Sequence, residues 1–330
     1  MRLPTADELL ANVRVVALPL RTQFRGLTVR ETMLIAGANE NSWGEFAAFT
    51  EYDDDESAPW LASAIEQAWQ LGPNRDERPI FRDEVRTNAT LPAVSAGEVP
   101  DVLGRFGDFR TVKVKVAETG QTLDDDVARV RAARKFVGDS GRVRIDANGG
   151  WNVDEAEHAI RALEQFDLEY VEQPCATVDE LYEIKTRVHG LGIPIAADES
   201  VRKAADPVAV ARAGAADILV VKVAPLGGVR RALDIIDEAG LPVVVSSALE
   251  SSIGLAASFE LASRIETLDY DCGIATNVLF ERDIIPPRVS FGTWTAAPGI
   301  VDETAARELS VSPERAQWWR ERAARCLALL

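Results

Sequence analysis

Thr111-Val-Lys-Val-Lys-Val116 is the stretch on which the fold turns. As a strand it carries its valines on one face and Lys113 and Lys115 on the other, because successive side chains alternate. Two explanations are open at this point. One is an edge strand with a solvated lysine face. The other is a strand whose valines pack under helices while both lysines point into an enclosed polar site. A buried ammonium needs a partner, so the second explanation demands carboxylates nearby.

The strands that follow supply them. Val143-Arg-Ile-Asp-Ala-Asn148 alternates again and puts Arg144, Asp146 and Asn148 on one face. Tyr170-Val-Glu-Gln-Pro174 ends in Glu172 ahead of a proline, and Ile195-Ala-Ala-Asp-Glu-Ser200 ends in Asp198. Glu172 follows Asp146 by 26 residues and Asp198 follows Glu172 by 26, one strand–helix unit each. Carboxylates at the ends of three consecutive parallel strands stand side by side and repel one another unless a cation joins them. All-oxygen donors suit Mg²⁺, with Mn²⁺ able to substitute, rather than zinc. One such carboxylate alone is an ordinary helix cap; three in step are not. Ile218-Leu-Val-Val-Lys-Val-Ala-Pro225 then adds Lys222, 24 residues past Asp198. Lysines on both sides of a metal suit abstraction of a proton α to a carboxylate.

These strands belong to a longer rhythm. β-rich runs occur at 92–96, 111–116, 142–147, 168–172, 193–197, 217–223 and 241–246, with a weaker one near 271–277. Amphipathic stretches lie between them at 123–137, 153–166, 177–189, 205–213 and 228–239. Eight strands alternating with helices outline an α/β barrel, whose active site lies at the strands' C-terminal ends. A doubly wound open sheet is the rival, but no GxGxxG follows its first strand. Before residue 92 the pattern is α+β: a strand meander over 12–52, then helical spacing over 58–72 ending at Gly72. The acidic run Asp53-Asp-Asp-Glu56 reads as a solvated loop. The tail 313–330, with Trp318 and Trp319, reads as a helix packed back on the body.

Composition excludes several classes. In 330 residues, 36 basic side chains face 53 acidic ones, a net charge of −17. So acidic a surface repels phosphate backbones and anionic lipid, which argues against a nucleic-acid partner. With 47% hydrophobic and 27% charged residues the chain is an ordinary globular one. No apolar run suits a membrane span and Asp7 and Glu8 interrupt any secretory stretch, so no membrane insertion and a cytoplasmic location are expected. Cys175, Cys272 and Cys326 are too dispersed for a disulfide framework or zinc site. His158 and His189 fall in helical segments and read as surface groups.

Taken together, these motifs resemble the enolase superfamily in its muconate-lactonising-enzyme subgroup. The resemblance covers nearly the whole chain. It implies an α/β fold: a (β/α)7β TIM-like barrel over 92–290, with an α+β capping domain from 1–91 completed by 291–330. It implies Lys115 as the base, Lys222 as its partner on the opposite face, and Asp146, Glu172 and Asp198 as Mg²⁺ ligands. The substrate is then a small-molecule carboxylate, with Lys113, Arg144, Asn148, Ser251 and Ser252 as candidate contacts. Phe24-Arg-Gly26, Arg30-Glu31, Trp43-Gly-Glu-Phe46, Glu51-Tyr52 and Ser246-Ser-Ala-Leu-Glu-Ser-Ser-Ile-Gly254 resemble loops of the o-succinylbenzoate synthases within that subgroup. N-acylamino-acid racemases and dipeptide epimerases are the alternative, and a barrel that binds metal without catalysis is a third. Asp269-Tyr-Asp271 superficially fits the epimerases' ammonium-binding pattern, but is expected to lie before the catalytic end of its strand.

Overall fold

The first alternating stretch folds into a hairpin. In the computed structural model, β1 (Val13–Phe24) and β2 (Leu27–Ala36) pair antiparallel, with Val13 opposite Ile35 and Leu18 opposite Arg30. Arg25 and Gly26 turn the corner with φ of 51° and 75°, the positive values that let a two-residue turn match strand twist. β3 (Trp43–Phe46) adds a third strand beside β2, and α1 (Asp54–Trp69) packs across it. The residues described are 3–37, 42–69, 78–203, 205–285, 289–290, 292–295 and 301–330.

The acidic run is not a loop. α1 begins at Asp54, and Asp53 accepts the Glu56 N–H at 2.8 Å. Negative charge is stabilised at a helix N-terminus, where backbone N–H groups lack partners, so the run is this helix's first turn. The expected end at Gly72 lies outside the described residues.

A second sheet holds seven parallel strands in chain order. They are β4 (Ala89–Leu91), β5 (Thr111–Lys115), β6 (Arg142–Asp146), β7 (Leu168–Glu172), β8 (Ile195–Ala197), β9 (Ile218–Lys222) and β10 (Val243–Ser246). The first lies earlier than the β-rich run at 92–96: Pro92 has no N–H to give a ladder, so pairing stops at Leu91. Helices follow β5, β6 and β7, namely α2 (Leu123–Val137), α3 (Val153–Leu163) and α4 (Val178–Val188). Each starts with a reciprocal capping box, Thr122/Asp125, Asn152/Glu155 and Thr177/Glu180. Pro207 falls inside the expected helix at 205–213, which shortens to Ala209–Arg212. α5 (Val229–Ala239) follows β9 and α6 (Ser252–Ser263) follows β10.

The sheet is curled. Cys272 bridges in parallel to Thr87, just before β4, and Gly273 bridges to Ser246 at the end of β10. Among the described residues, that pair is all that pairs within the weak run near 271–277. Val112, Val114, Val143 and Ile145 join the large apolar cluster with Val130, Ala133, Ala156 and Ile160 of the helices. The lysines between those valines therefore point to the other side, and the edge-strand explanation falls.

The chain's last helix, α7 (Pro313–Leu327), packs on α1 and the hairpin as expected. Buried Arg322 donates to the carbonyls of Ala48, Phe49 and Tyr52 and to Ser57 Oγ. Among the described residues no helix is long and apolar enough to cross a membrane. The three cysteines are free and buried, and both histidines are exposed.

Candidate active site

Parallel register sets the partners of the inward lysines. Lys115 stands beside Asp146, and Asp146 beside Glu172. Lys113 Nζ donates to Glu172 at 2.8 and 3.0 Å and lies 3.2 Å from Asp146. Lys115 Nζ donates to Asp146 Oδ2 at 2.8 Å and to Asn148 Oδ1. Across the row, Lys222 at the end of β9 donates to Asp198 Oδ2 at 2.5 Å, while Arg202 Nε donates to the other oxygen at 3.2 Å. The three carboxylates are at most 1% exposed, so their interactions are little screened.

A cavity opens over this row. Lys113, Lys115, Asp146, Asn148 and Lys222 line it, with Thr90, Ser246 and Ser247 from other strand ends. Phe24, Arg25 and Phe49 close it from the N-terminal region, and Leu249 from the loop after β10. Ala117, Asn148, Gln173 and Leu249 each follow a strand end with φ between 40° and 64°. Non-glycine residues rarely adopt that conformation, and such strain collects where surroundings over-determine the backbone. Gln173 is one cause: its Oε1 accepts the N–H of Asp198 at 2.9 Å and of Ser200 at 3.2 Å.

The charges differ in what they experience. Burial lowers the Lys115 ammonium's pKa, with Lys113 assisting against Asp146. Burial would lower Lys113 too, but Glu172 and Asp146 outweigh it and hold that ammonium well above the usual range. Burial and the charge of Asp146 push Glu172 up to about 7. Asp146 moves the other way, because Lys115 and Lys113 outweigh its burial. Asp198 is held down at about 2, Lys222 and Arg202 overriding burial. Two lysines two residues apart on one strand face are thus made unequal: Lys113 is held above the ordinary lysine range and Lys115 is brought below it.

Among the described residues no three acidic, histidine or cysteine side chains converge on a seat for an ion, because lysine ammoniums take the carboxylate oxygens. The chemistry of the donors nevertheless fits a hard dication, with three carboxylates in a row and no nitrogen or sulfur among them.

Three expected substrate contacts stand elsewhere. Arg144 lies below the cavity, donating to Glu169 at 2.8 Å, Tyr170 Oη at 3.0 Å and the Asp271 carbonyl at 2.9 Å. Strand alternation put it on the inner face but one layer too deep. Ser251 caps α6 and donates to Glu45, and Ser252 donates to Asp283 at 2.5 Å. Because β10 ends at Ser246, it is Ser246 and Ser247 that reach the cavity. Asp271 is buried at the opposite end of β5, accepting from Thr111 Oγ1 at 2.7 Å and pairing with Arg86 and Arg110. It lies before the catalytic end, as expected.

Comparisons with known proteins agree with this geometry. Residues 96–299 match the model of the enolase C-terminal domain-like family, and 15–68 match that of the enolase N-terminal domain-like family. The chain belongs to the enolase superfamily. It is an enzyme of that superfamily. It is 50% identical to the o-succinylbenzoate synthase of Mycolicibacterium smegmatis over 99% of this chain and 98% of that one. The o-succinylbenzoate synthase of Mycobacterium tuberculosis is also 50% identical, over 99% and 97%. Among solved structures, N-succinyl Arg/Lys racemase from Bacillus cereus superposes with a TM-score of 0.75 at 20% identity, over 91% of this chain and 97% of that one. Muconate lactonizing enzyme from Pseudomonas putida gives 0.73 at 20% identity, over 91% and 98%. These two speak for the shared fold.

One carboxyl beside this superfamily site titrates apart from it. Asp283 accepts the Ser252 N–H at 3.0 Å, and burial pushes its carboxyl from 3.8 up to about 6. Folding therefore favours its protonated form. The penalty for ionising it is absent below pH 4 and complete above pH 6, so this group's contribution to stability falls as pH rises between them. Relative to Asp283→Asn, the wild type is expected to lose on the order of 2 kcal/mol from pH 4 to pH 7. Urea unfolding of both proteins across that range checks it; parallel curves would contradict it.

Proposed function

We propose that this chain is an o-succinylbenzoate synthase. It removes water from 2-succinyl-6-hydroxy-2,4-cyclohexadiene-1-carboxylate to form 2-succinylbenzoate, a lyase step of menaquinone biosynthesis in the cytoplasm. The observation that carries this is one cavity lined by Lys115 and Lys222 with a row of buried carboxylates between them. That arrangement supports proton abstraction next to a carboxylate, and full-length likeness to named synthases supports dehydration among the reactions it allows.

The site residues have distinct parts. Asp146, Glu172 and Asp198 would hold Mg²⁺, or Mn²⁺ in its stead, which supplies positive charge against the substrate's ring carboxylate. Lys115 Nζ takes the α proton, and Asn148 Oδ1 orients that nitrogen. The protonated Nζ then gives its proton to the departing hydroxyl on the same face. One C–H and one C–O bond break, a ring double bond forms, water leaves, and Lys115 returns neutral. Lys222 stays charged beside Asp198 and offsets the negative charge that develops on the substrate. Lys113 stays bound to Glu172 and keeps a second positive charge near Lys115.

This reading divides the chain into a (β/α)7β barrel, expected over 92–290 but with its first strand already at Ala89–Leu91, and a capping domain of the residues before that strand with 291–330. The parallel bridges from Cys272 and Gly273 to the two ends of the seven-stranded sheet support a closed barrel. The expected result is that dehydration exceeds racemisation of N-succinyl amino acids in kcat/KM, a ratio that compares transition-state binding. Both assays on one preparation decide it. Racemisation without dehydration would transfer the chain to the N-acylamino-acid racemases or dipeptide epimerases.

A further inference from the structure

Leu249 has a backbone conformation that its side chain disfavours. Its φ is +64°, in the left-handed region where glycine sits without strain and leucine does not. The residue is buried, lines the cavity, and follows the last residue of β10 by three positions. The apolar part of that lining is Phe24, Phe49, Ala248 and Leu249, set against lysines, arginines, the Asp146 carboxylate and hydroxyls. Strain of this kind persists where neighbours impose it.

The neighbours that impose it belong to the N-terminal hairpin. Arg30 on β2 is 2% exposed, and its Nε donates to the Leu249 carbonyl at 3.2 Å. Its Nη2 donates to the Ala47 carbonyl, and the guanidinium stacks 4.0 Å from the Phe49 ring centroid. Both ends of this buried cation are therefore committed, so its position is fixed. Glu250 closes the turn locally, accepting the Ala248 N–H at 2.6 Å. Glu45 on β3 accepts the N–H groups of Ser251 and Gly254 at 3.0 and 2.7 Å. The loop after β10 thus hangs from β2 and β3.

We propose that Arg30 is a positioning residue that pins Leu249 in its left-handed conformation, making Leu249 a specificity-determining wall that selects a flat cyclic carboxylate over a branched acyl amino acid. The two substrate classes rest on the dehydration proposed above; the pinning does not. A wall whose backbone is held in place leaves less room for a branched acyl chain than for a compact ring, which packs along it by apolar contact.

A double-mutant cycle tests the pin. Arg30→Lys keeps the charge but loses the planar fork, and is expected to lower kcat/KM for dehydration about tenfold, the population shift that left-handed strain represents. In a Leu249→Gly background, where the conformation needs no pin, the same change should cost less than about twofold. Equal losses in both backgrounds would make Arg30 merely structural and overturn the pin. If Arg30→Lys does not fold, recovery of folding by Leu249→Gly supports the pin and failure to recover overturns it. Leu249→Ala should raise the ratio of N-succinyl amino acid racemisation to dehydration; an unchanged ratio overturns the wall. If the wild type racemises and does not dehydrate, the reaction assignment fails alone, and the cycle is read on racemisation.

Discussion

Lys115→Ala enzyme is expected to lose both turnover and exchange of the substrate's α proton, while Lys222→Ala enzyme loses most turnover yet still exchanges. The difference follows from where each ammonium stands. Lys115 is the lysine whose pKa burial and Lys113 bring down, which favours it over Lys113 as the base of the proposed reaction. Lys113 cannot replace it, being held charged by Glu172 and Asp146. Lys222 stands on the far side, and in the proposed reaction its part is to offset negative charge on the substrate. Removing one preorganised charge of that sort costs on the order of 100- to 1000-fold in kcat. Neither change strands a buried carboxylate: Asp146 keeps Lys113 at 3.2 Å, and Asp198 keeps Arg202 at 3.2 Å. Both variants should therefore fold. Mass spectrometry of α-deuterated substrate reads the outcome, with slow washout expected for Lys222→Ala and none for Lys115→Ala. The opposite pattern would exchange the two lysines' roles.

What the sequence made legible was local or periodic. The alternation of Thr111–Lys115 settles which side chains share a face, and the 26-residue spacing of Asp146, Glu172 and Asp198 reports the repeating strand–helix unit. Alternation gives the face of a residue but not its depth, which is why Arg144 belonged with Asp146 by pattern and lies with Glu169 and Tyr170 in fact. Ser251 and Ser252 had the right composition for substrate contacts. Their partners, Glu45 and Asp283, come from 206 and 31 residues away and turn both into helix-terminus ligands. Arg30 and Leu249, 219 residues apart, carry no local signal of their contact. A leucine in left-handed backbone is invisible to pattern reading, because turn signals rest on glycine and asparagine.

Metal binding should separate the three carboxylates by stability as well as by activity. Asp146→Asn, Glu172→Gln and Asp198→Asn are each expected to abolish turnover, since each removes an anionic donor. Their ion-free forms should differ. Asp146 is shared by Lys113 and Lys115, so Asp146→Asn weakens two buried ammoniums at once and should cost about 3 kcal/mol. Glu172 is the carboxylate that burial and Asp146 push up to about 7. Glu172→Gln removes that repulsion while Lys113 keeps Asp146, so its ion-free Tm should stay near the wild type's or rise. Added Mg²⁺ stabilises whichever protein binds it by mass action, about 2.7 kcal/mol at 100 times Kd. The wild-type Tm should therefore climb with Mg²⁺ and fall back on chelation, while the Glu172→Gln Tm stays flat. Calorimetry with and without Mg²⁺ reads all four proteins. A wild type indifferent to Mg²⁺, or a Glu172→Gln enzyme that turns over in chelator, would remove the carboxylate row from metal binding and leave it a framework for the lysines alone.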